Sequence, residues 1–322
     1  VPDAALRYSR QELVLGKAAQ QKIMNAHAAI IGIGALGTVA ADLLARAGIG
    51  KLTLVDRDVV EMSNLQRQTL FTEADIGELK AEAAARRLRA VNSGISLFTI
   101  VDDVNFRSMA KIAQGASIIL DCTDNLYTRF LINDYARKNG IPWVHAGAIQ
   151  RQANVMAVTP ETPCFACTFA HPAGLPTCDT GGIVASASVI AAALQAAEAL
   201  KILIGTFEGQ KLYALSLEDN TLRSVTTAHN QKCPACRGRY DYLSGKKEPK
   251  AITCQCSGLY HFYQHGIELE ALKEKLSALG EVRGSHGYLI FDNISAFANG
   301  RINVRAASLA QAKSAIAKYV GA

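Results

Sequence analysis

The sequence predicts an α/β chain: a mostly parallel sheet with helices on both faces, a zinc-knuckle segment, and a small α+β domain at the C-terminal end. Three observations carry that expectation. The apolar run at 28–31 ends in Gly32, Gly34 and Gly37, and an alanine-rich helical pattern and a second strand closing at Asp56 follow it. From residue 95 to residue 149 short apolar runs alternate with helical periods, the pattern of a sheet built by crossovers. Two Cys-x-x-C pairs, Cys164/Cys167 and Cys233/Cys236, stand far apart in the chain and together supply four thiolates for a tetrahedral ion.

The stretch 28–58 reads as a Rossmann-like βαβ unit that binds a nucleotide. Gly32 permits the tight turn, Gly34 lets the backbone approach a phosphate, and Gly37 lets helix and sheet pack closely. The helix N-terminus attracts negative charge, and Asp56, about 20 residues beyond the glycines, stands where an acid holds a ribose. The spacing does not decide which nucleotide is bound.

Composition bounds the rest. The chain has 322 residues, 49% of them hydrophobic, and a formal charge of +6. That length suits one large α/β domain with a small appendage, and the expected division is 1–245 and 246–322. The charge is spread without a basic run, so a nucleic-acid footprint is not expected, whereas a phosphate-rich small ligand is compatible with it. The N-terminal stretch has no apolar signal core, and the long apolar stretch 183–204 is interrupted by Gln195, Glu198 and Lys201, which favours a buried helix over a membrane span. The eight cysteines then read as reduced thiols, metal ligands or catalytic groups, and the cytosol is the expected compartment.

In chain order, residues 7–27 form an amphipathic pattern divided at Gly16, with Arg7 and Arg10 flanking Tyr8; such arginines are ordinarily solvated helix surface. After Asp56 a polar loop carries Asn64, Gln66, Arg67 and Gln68 off the C-terminal edge of a parallel strand, which faces the ligand crevice. A helix over 77–92 has Lys80 in its first turn, unfavourable to the helix dipole unless an anion is near. A strand over 95–101, a helix over 106–114 and a buried strand over 116–120 lead to Asp121, Cys122, Thr123, Asp124 and Asn125. Asp124 either carries Mg²⁺ between phosphates or caps the next helix, 126–138. Strands over 143–149 and 154–159 follow, joined through a polar turn at Gln150, Arg151 and Gln152.

The two cysteine pairs favour a structural Zn²⁺ that pins a C-terminal segment to the core, redox use being the alternative. Between them a Gly-, Pro- and Thr-rich loop at 171–182 carries Cys178 just ahead of a helix; a lowered thiol pKa there would favour a nucleophile, while Asp179 opposes it. A hairpin over 211–217 and 221–227 precedes the second pair. The stretch 244–250 has linker composition, and the tail shows a strand around Cys254 and Cys256, a helix over 268–279, strands around 287–291 and 301–304, and a last helix. Core packing is the ordinary role of the two tail cysteines, sulfur handling the alternative.

Taken together, RYSRQ, GIGALG, VDRD, SNLQRQ, the Lys80 helix start, DCTDN, the cysteine pairs and TCDTGG resemble the MoeB/ThiF/HesA group of adenylyltransferases, relatives of the ubiquitin-activating enzymes, over about residues 7–238. The resemblance implies ATP with Mg²⁺, and adenylation of the C-terminal glycine of a small ubiquitin-like or sulfur-carrier protein ending in Gly-Gly. It implies a nucleotide set of Gly32, Gly34, Ala35, Gly37, Asp56, Asp58, Ser63, Asn64, Gln66, Arg67, Lys80, Asp124 and Asn125. Asp56 holds the ribose, Asn64, Arg67 and Lys80 contact phosphates, and Asp124 holds Mg²⁺. Arg10 becomes an arginine finger supplied across a homodimer, and Cys178 matches a loop cysteine that bonds to the carrier in some members.

Such a site needs no general base, because the attacking carboxylate is already ionised; it needs positioning and charge neutralisation. Ala35 departs from the glycine of several relatives. Some relatives append a rhodanese domain, but the tail of about 75 residues is short for a domain and has no rhodanese-like cysteine loop. The alternatives are adenylation of a tRNA-bound carboxylate, an NAD-dependent oxidoreductase resting on the glycine loop and Asp56 alone, and a nucleotide-sensing scaffold.

Overall fold

The computed structural model describes residues 4–169, 181–248, 253–254, 259–264, 266–285, 287–298 and 300–321. The chain divides into two compact units, Val1–Glu248 and Pro249–Ala322.

In the first unit α1 (Ala4–Leu15) and α2 (Lys17–Asn25), broken at Gly16 with φ 84°, lead into β1 (His27–Ile31). Then follow α3 (Gly37–Ala47), β2 (Lys51–Val55), α4 (Lys80–Val91), β3 (Ser96–Ile100), α5 (Met109–Ile112) and β4 (Ile118–Asp121). After these come α6 (Leu126–Asn139), β5 (Trp143–Ile149), β6 (Gln152–Val158), α7 (Phe165–Thr168), α8 (Ala185–Ile204), β7 (Lys211–Ser216) and β8 (Thr221–Thr226). The strands form one sheet in the order β3-β2-β1-β4-β5-β6-β7-β8. Pairings from β3 through β5 are parallel and the last three are antiparallel.

Every residue of β1 and β4 is buried, as expected of strands covered on both faces. The strand order reverses between β1 and β4, the position at which open α/β sheets place their ligand crevice. Helix α8 is the one helix among the described residues long and apolar enough to cross a membrane, yet half of that stretch is buried in this unit. It packs on β5, β6 and α3, with Gln195 wholly buried.

Two helices are shorter than the sequence predicts. Gly77 takes φ +88° and Val59 bridges to Leu79, so α4 starts at Lys80. The Asn105 side chain accepts from the backbone of Arg107 and Ser108, an Asx-type arrangement that competes with helix and delays α5 to Met109.

The second unit holds β9 (Thr253–Cys254), β10 (Leu259–Tyr263), α9 (Leu269–Ser277), β11 (Arg283–Ser285), β12 (Tyr288–Phe291), β13 (Ile294–Phe297), β14 (Arg301–Arg305) and α10 (Leu309–Tyr319). Its six-stranded antiparallel sheet runs β11-β12-β13-β14-β10-β9. Leu272, Leu276, Leu289, Phe291, Ile294, Ile302, Val304 and Ala312 form its core. Sequence reading misses β10, β11 and β13, because runs of three to five residues are too short to display an alternation. Cys256 lies outside the described residues.

Candidate nucleotide and metal sites

The glycine loop is shaped by steric necessity. Gly32 takes φ +90°, and a Cβ there would lie 2.8 Å from the Cys122 carbonyl oxygen. One on Gly37 would lie 1.9 Å from the Gly32 oxygen, whereas one on Gly34 would meet only the Gln68 side chain at 3.8 Å. The loop therefore cannot take side chains at its first and third glycines, and is open at the second, where a ligand's phosphate has room.

Asp56 ties this loop to the end of β2. Its Oδ2 accepts from Ile33 N at 2.7 Å and its Oδ1 from Asp58 N at 2.8 Å. A carboxylate has lone pairs beyond these two bonds, so capacity for a sugar hydroxyl remains. Arg57 donates to Asp103 at 2.7 Å and lies 3.8 Å from Asp58, itself 3.8 Å from Lys80 Nζ. Lys80, buried at the first position of α4, has the anions its placement requires. Burial works against its ammonium, but Asp56, Asp58, Glu61 and Asp124 outweigh burial and raise its pKa above the ordinary value.

The polar loop after β2 is divided in function. Asn64 is buried and its Oδ1 accepts from Glu61 N at 3.1 Å, while Arg67 donates to the Ser63 carbonyl at 2.9 Å. Ser63 and Gln66 are exposed. Gln68 is buried, with an Oε1 that has no hydrogen-bond partner among the described residues, and it stands over Gly34.

At the end of β4 the helix cap belongs to Asn125, whose Oδ1 accepts from Thr128 N at 2.8 Å. Asp124 is thus released from capping and is exposed. It is close enough to Arg57 and Lys80 to raise both. The loop beneath it is fixed by Asp121, whose Oδ1 accepts from Thr123 N and Thr123 Oγ1 at 3.0 and 2.7 Å.

On the other side of this unit Cys164, Cys167, Cys233 and Cys236 converge, all four sulfurs within 4.8 Å of one another. The nearest pairs are 3.5 to 3.8 Å apart. Tetrahedral Zn–S bonds of about 2.3 Å require S···S near 3.8 Å, so the cluster fits a zinc ion. Burial pushes the Cys233 thiol up to about 11 and Cys164 higher still; a bound divalent ion displaces such protons.

Comparison with known proteins agrees with this geometry. The ThiF family model matches residues 8–235. The sulfur carrier protein ThiS adenylyltransferase of Bacillus subtilis is 37% identical over 98% of this chain and 99% of its own length. This chain belongs to the ThiF family. Its Escherichia coli relative of the same name is 36% identical over 72% of this chain and 95% of its own length. A crystal structure of E. coli MccB with ATP superposes with a TM-score of 0.64 and 26% identity, over 72% of this chain and 74% of that one. The chain is an adenylyltransferase, an activity that uses ATP and Mg²⁺.

Within a ThiF-family chain Arg10 is the outlying residue. Tyr8 of the same helix packs on Gly48 and accepts from Asn92, at the C-terminal ends of α3 and α4. Helix α3, 11 residues and about 16 Å long, separates that place from the glycine loop. Arg10 is exposed and makes no hydrogen bond or ion pair among the described residues. Cys178 lies outside the described residues. Arg57, flanked by Asp56 and Asp58 in the VDRD stretch, also pairs with Asp103, 46 positions away, a contact the local sequence does not show.

Proposed function

We propose that this ThiF-family crevice adenylates the C-terminal carboxylate of a small sulfur-carrier or ubiquitin-like protein ending in Gly-Gly. The reading is carried by Asp124 and Lys80: an exposed carboxylate that takes no part in the helix cap lies near enough to a buried amine to help hold it charged. Asp56 holds the ribose. The loop amides at Gly34 and Ala35, with Asn64, Arg67 and Lys80, hold the triphosphate, and Asp58, Ser63, Gln66 and Asn125 line its approach. Asp124 would hold Mg²⁺, which when bound would supply charge neutralisation to the phosphates. A carboxylate oxygen of the carrier attacks the α-phosphorus, the α–β bond breaks, and pyrophosphate leaves with the electron pair. Fixed cations here stabilise that charge without reorganisation.

Two further assignments support the reading. Zinc in the four-cysteine cluster fastens the 233–236 segment to the core, and Arg10 reaches a crevice from the second subunit of a homodimer. On α1 Leu6, Leu13 and Val14 are 74%, 78% and 83% exposed, and Leu6, Arg10 and Leu13 share one face by their spacing, so an apolar stripe flanks the arginine.

Carrier-dependent ATP–pyrophosphate exchange tests the reaction. Exchange with a Gly-Gly carrier is expected; exchange only with a tRNA-bound carboxylate, or ATP binding without any exchange, refutes it. Mixing Arg10→Ala with Asp124→Ala chains tests the dimer. Random pairing gives half heterodimers with one complete site each, so recovery to about a quarter of wild-type activity is expected. No recovery despite subunit exchange removes Arg10 from the partner's site.

A further inference from the structure

His145 has no part in the chemistry above, yet it is 1% exposed among aromatic rings and carries two polar atoms. It sits opposite Asp121 in the β4–β5 ladder. Its Nδ1 donates to Asp121 Oδ2 at 2.7 Å, and its Nε2 is 2.8 Å from the Asn154 side-chain amide on β6. Burial works to raise the Asp121 carboxyl, but the His145 hydrogen bond and the Arg129 charge outweigh it and hold Asp121 below the ordinary carboxylate value.

The same ring meets the first cysteine pair. Phe165, between Cys164 and Cys167, lies edge-on to His145 at 4.9 Å, and Phe169, capping the same short helix, at 5.7 Å. Phe165 is itself fixed: its N–H donates to Asn133 Oδ1 at 2.9 Å, and it stacks on Phe169 at 4.4 Å. On the opposite side Asp121 binds Thr123 twice, and Arg129 donates to the Thr123 carbonyl at 2.6 Å. Thr123 precedes Asp124. An unbroken line of contacts thus runs from the cysteine cluster through His145, Asp121 and Thr123 to Asp124.

An imidazole in a packed aromatic cluster costs desolvation unless its hydrogen bonds do something a leucine cannot. Here it supplies the donor that keeps a wholly buried carboxylate in place. We propose that His145 is a positioning residue: wedged between the phenylalanines of the cysteine knuckle and Asp121, it sets the loop that presents Asp124 to Mg²⁺ and the triphosphate. This rests on the assignment of Asp124 made above. Partners that orient a metal-binding group typically change metal affinity about tenfold or more when removed.

The test is calorimetric binding of a non-hydrolysable ATP analogue to the full chain across a Mg²⁺ series, with zinc content and melting temperature measured in parallel. His145→Leu is expected to raise the Mg²⁺ concentration at half-maximal binding about tenfold with zinc content unchanged. His145→Gln, whose amide can donate to Asp121, restores most of the loss. In an Asp124→Ala background the His145 substitution adds no further shift, because its route is gone. Should His145→Leu fail to fold, Thr123→Val, on a partly exposed loop, breaks the line nearer its end and gives the same direction of shift. Wild-type Mg²⁺ dependence in either variant, or a full extra shift in the Asp124→Ala background, overturns the positioning role while leaving the adenylation reading intact. A wild-type chain that binds no Mg²⁺-dependent nucleotide overturns both.

Discussion

The crevice and the cysteine knuckle flank the same strand pair, β4 and β5, but are held together by opposite means. In the crevice Arg57, Asp58, Lys80, Asp103 and Asp124 balance one another's charge across loops. In the knuckle Phe130, Trp143, Phe165 and Tyr242 share one apolar cluster with the buried Cys164 and Cys233, and Phe169, Cys167 and Cys236 pack half-buried against it. Removing the exposed Asp124 leaves the buried Lys80 its anions Asp56, Asp58 and Glu61, whereas removing one knuckle ligand leaves buried groups without a partner. Function and stability should therefore separate between the two regions.

The largest expected effect is on the crevice side. Asp124→Ala should lower carrier-dependent pyrophosphate exchange roughly 10²- to 10³-fold, the usual loss when a transition-state charge partner is removed. Its melting temperature should stay within about 2 °C of wild type, since exposed positions contribute little to stability. A large fall in melting temperature would erase the distinction between the regions. Cys233→Ser should do the reverse. A structural zinc contributes several kcal/mol to folding, so the melting temperature should fall by roughly 10 °C or more. Zinc should leave the purified protein, and exchange at saturating Mg²⁺ and low temperature should drop only a few-fold. A full complement of zinc without Cys233, or none in the wild type by metal analysis, contradicts the four-thiolate assignment.

The two regions also differ in how they could be read. Gly32, Gly34, Gly37 and Asp56 lie within one βαβ unit, so their spacing carries the geometry. The DCTDN stretch is legible for the same reason, although its cap falls on Asn125 rather than Asp124, a distinction one residue wide that only the turn geometry decides. The knuckle pairs are visible as motifs, but the separation of 69 positions from Cys164 to Cys233 hides what surrounds them. His145 carries no local signature, because Asp121, Phe165 and Phe169, which define its role, come from other elements. The pairing of Arg57 with Asp103, 46 positions away, is likewise not visible in the local sequence. In the second unit short strands and the glycine kink at Gly284, φ +139°, leave no periodic signal, so half of its sheet was not foreseen.

The smallest predicted effect turns the comparison into a sign. Each region has a buried acid outside its site whose titration can be followed. On the crevice side Asp75 is 1% exposed. Burial works to raise it, but Thr72 N at 2.7 Å, Arg87 at 2.9 Å, the Thr72 hydroxyl and Arg86 outweigh burial and hold it at about 2. On the knuckle side Asp134 accepts from Tyr242 N at 2.9 Å and Leu243 N at 3.4 Å, yet burial dominates and pushes it up to about 6. Both start from an ordinary value of 3.8. The stability that Asp75 contributes is present above 3.8 and lost as pH falls through about 2; that of Asp134 is present below 3.8 and lost as pH rises through about 6. Asp75→Asn should therefore lower the melting temperature at pH 7 by a few degrees, with the difference closing toward pH 2. Asp134→Asn, which keeps an acceptor for Tyr242 N without a charge, should match wild type near pH 4 and melt slightly higher than it at pH 8. Thermal melts of both variants between pH 3 and pH 8 read the two slopes directly. If both variants shift in the same direction at pH 7, charge pairing does not distinguish the regions, and the contrast between crevice and knuckle reduces to packing alone.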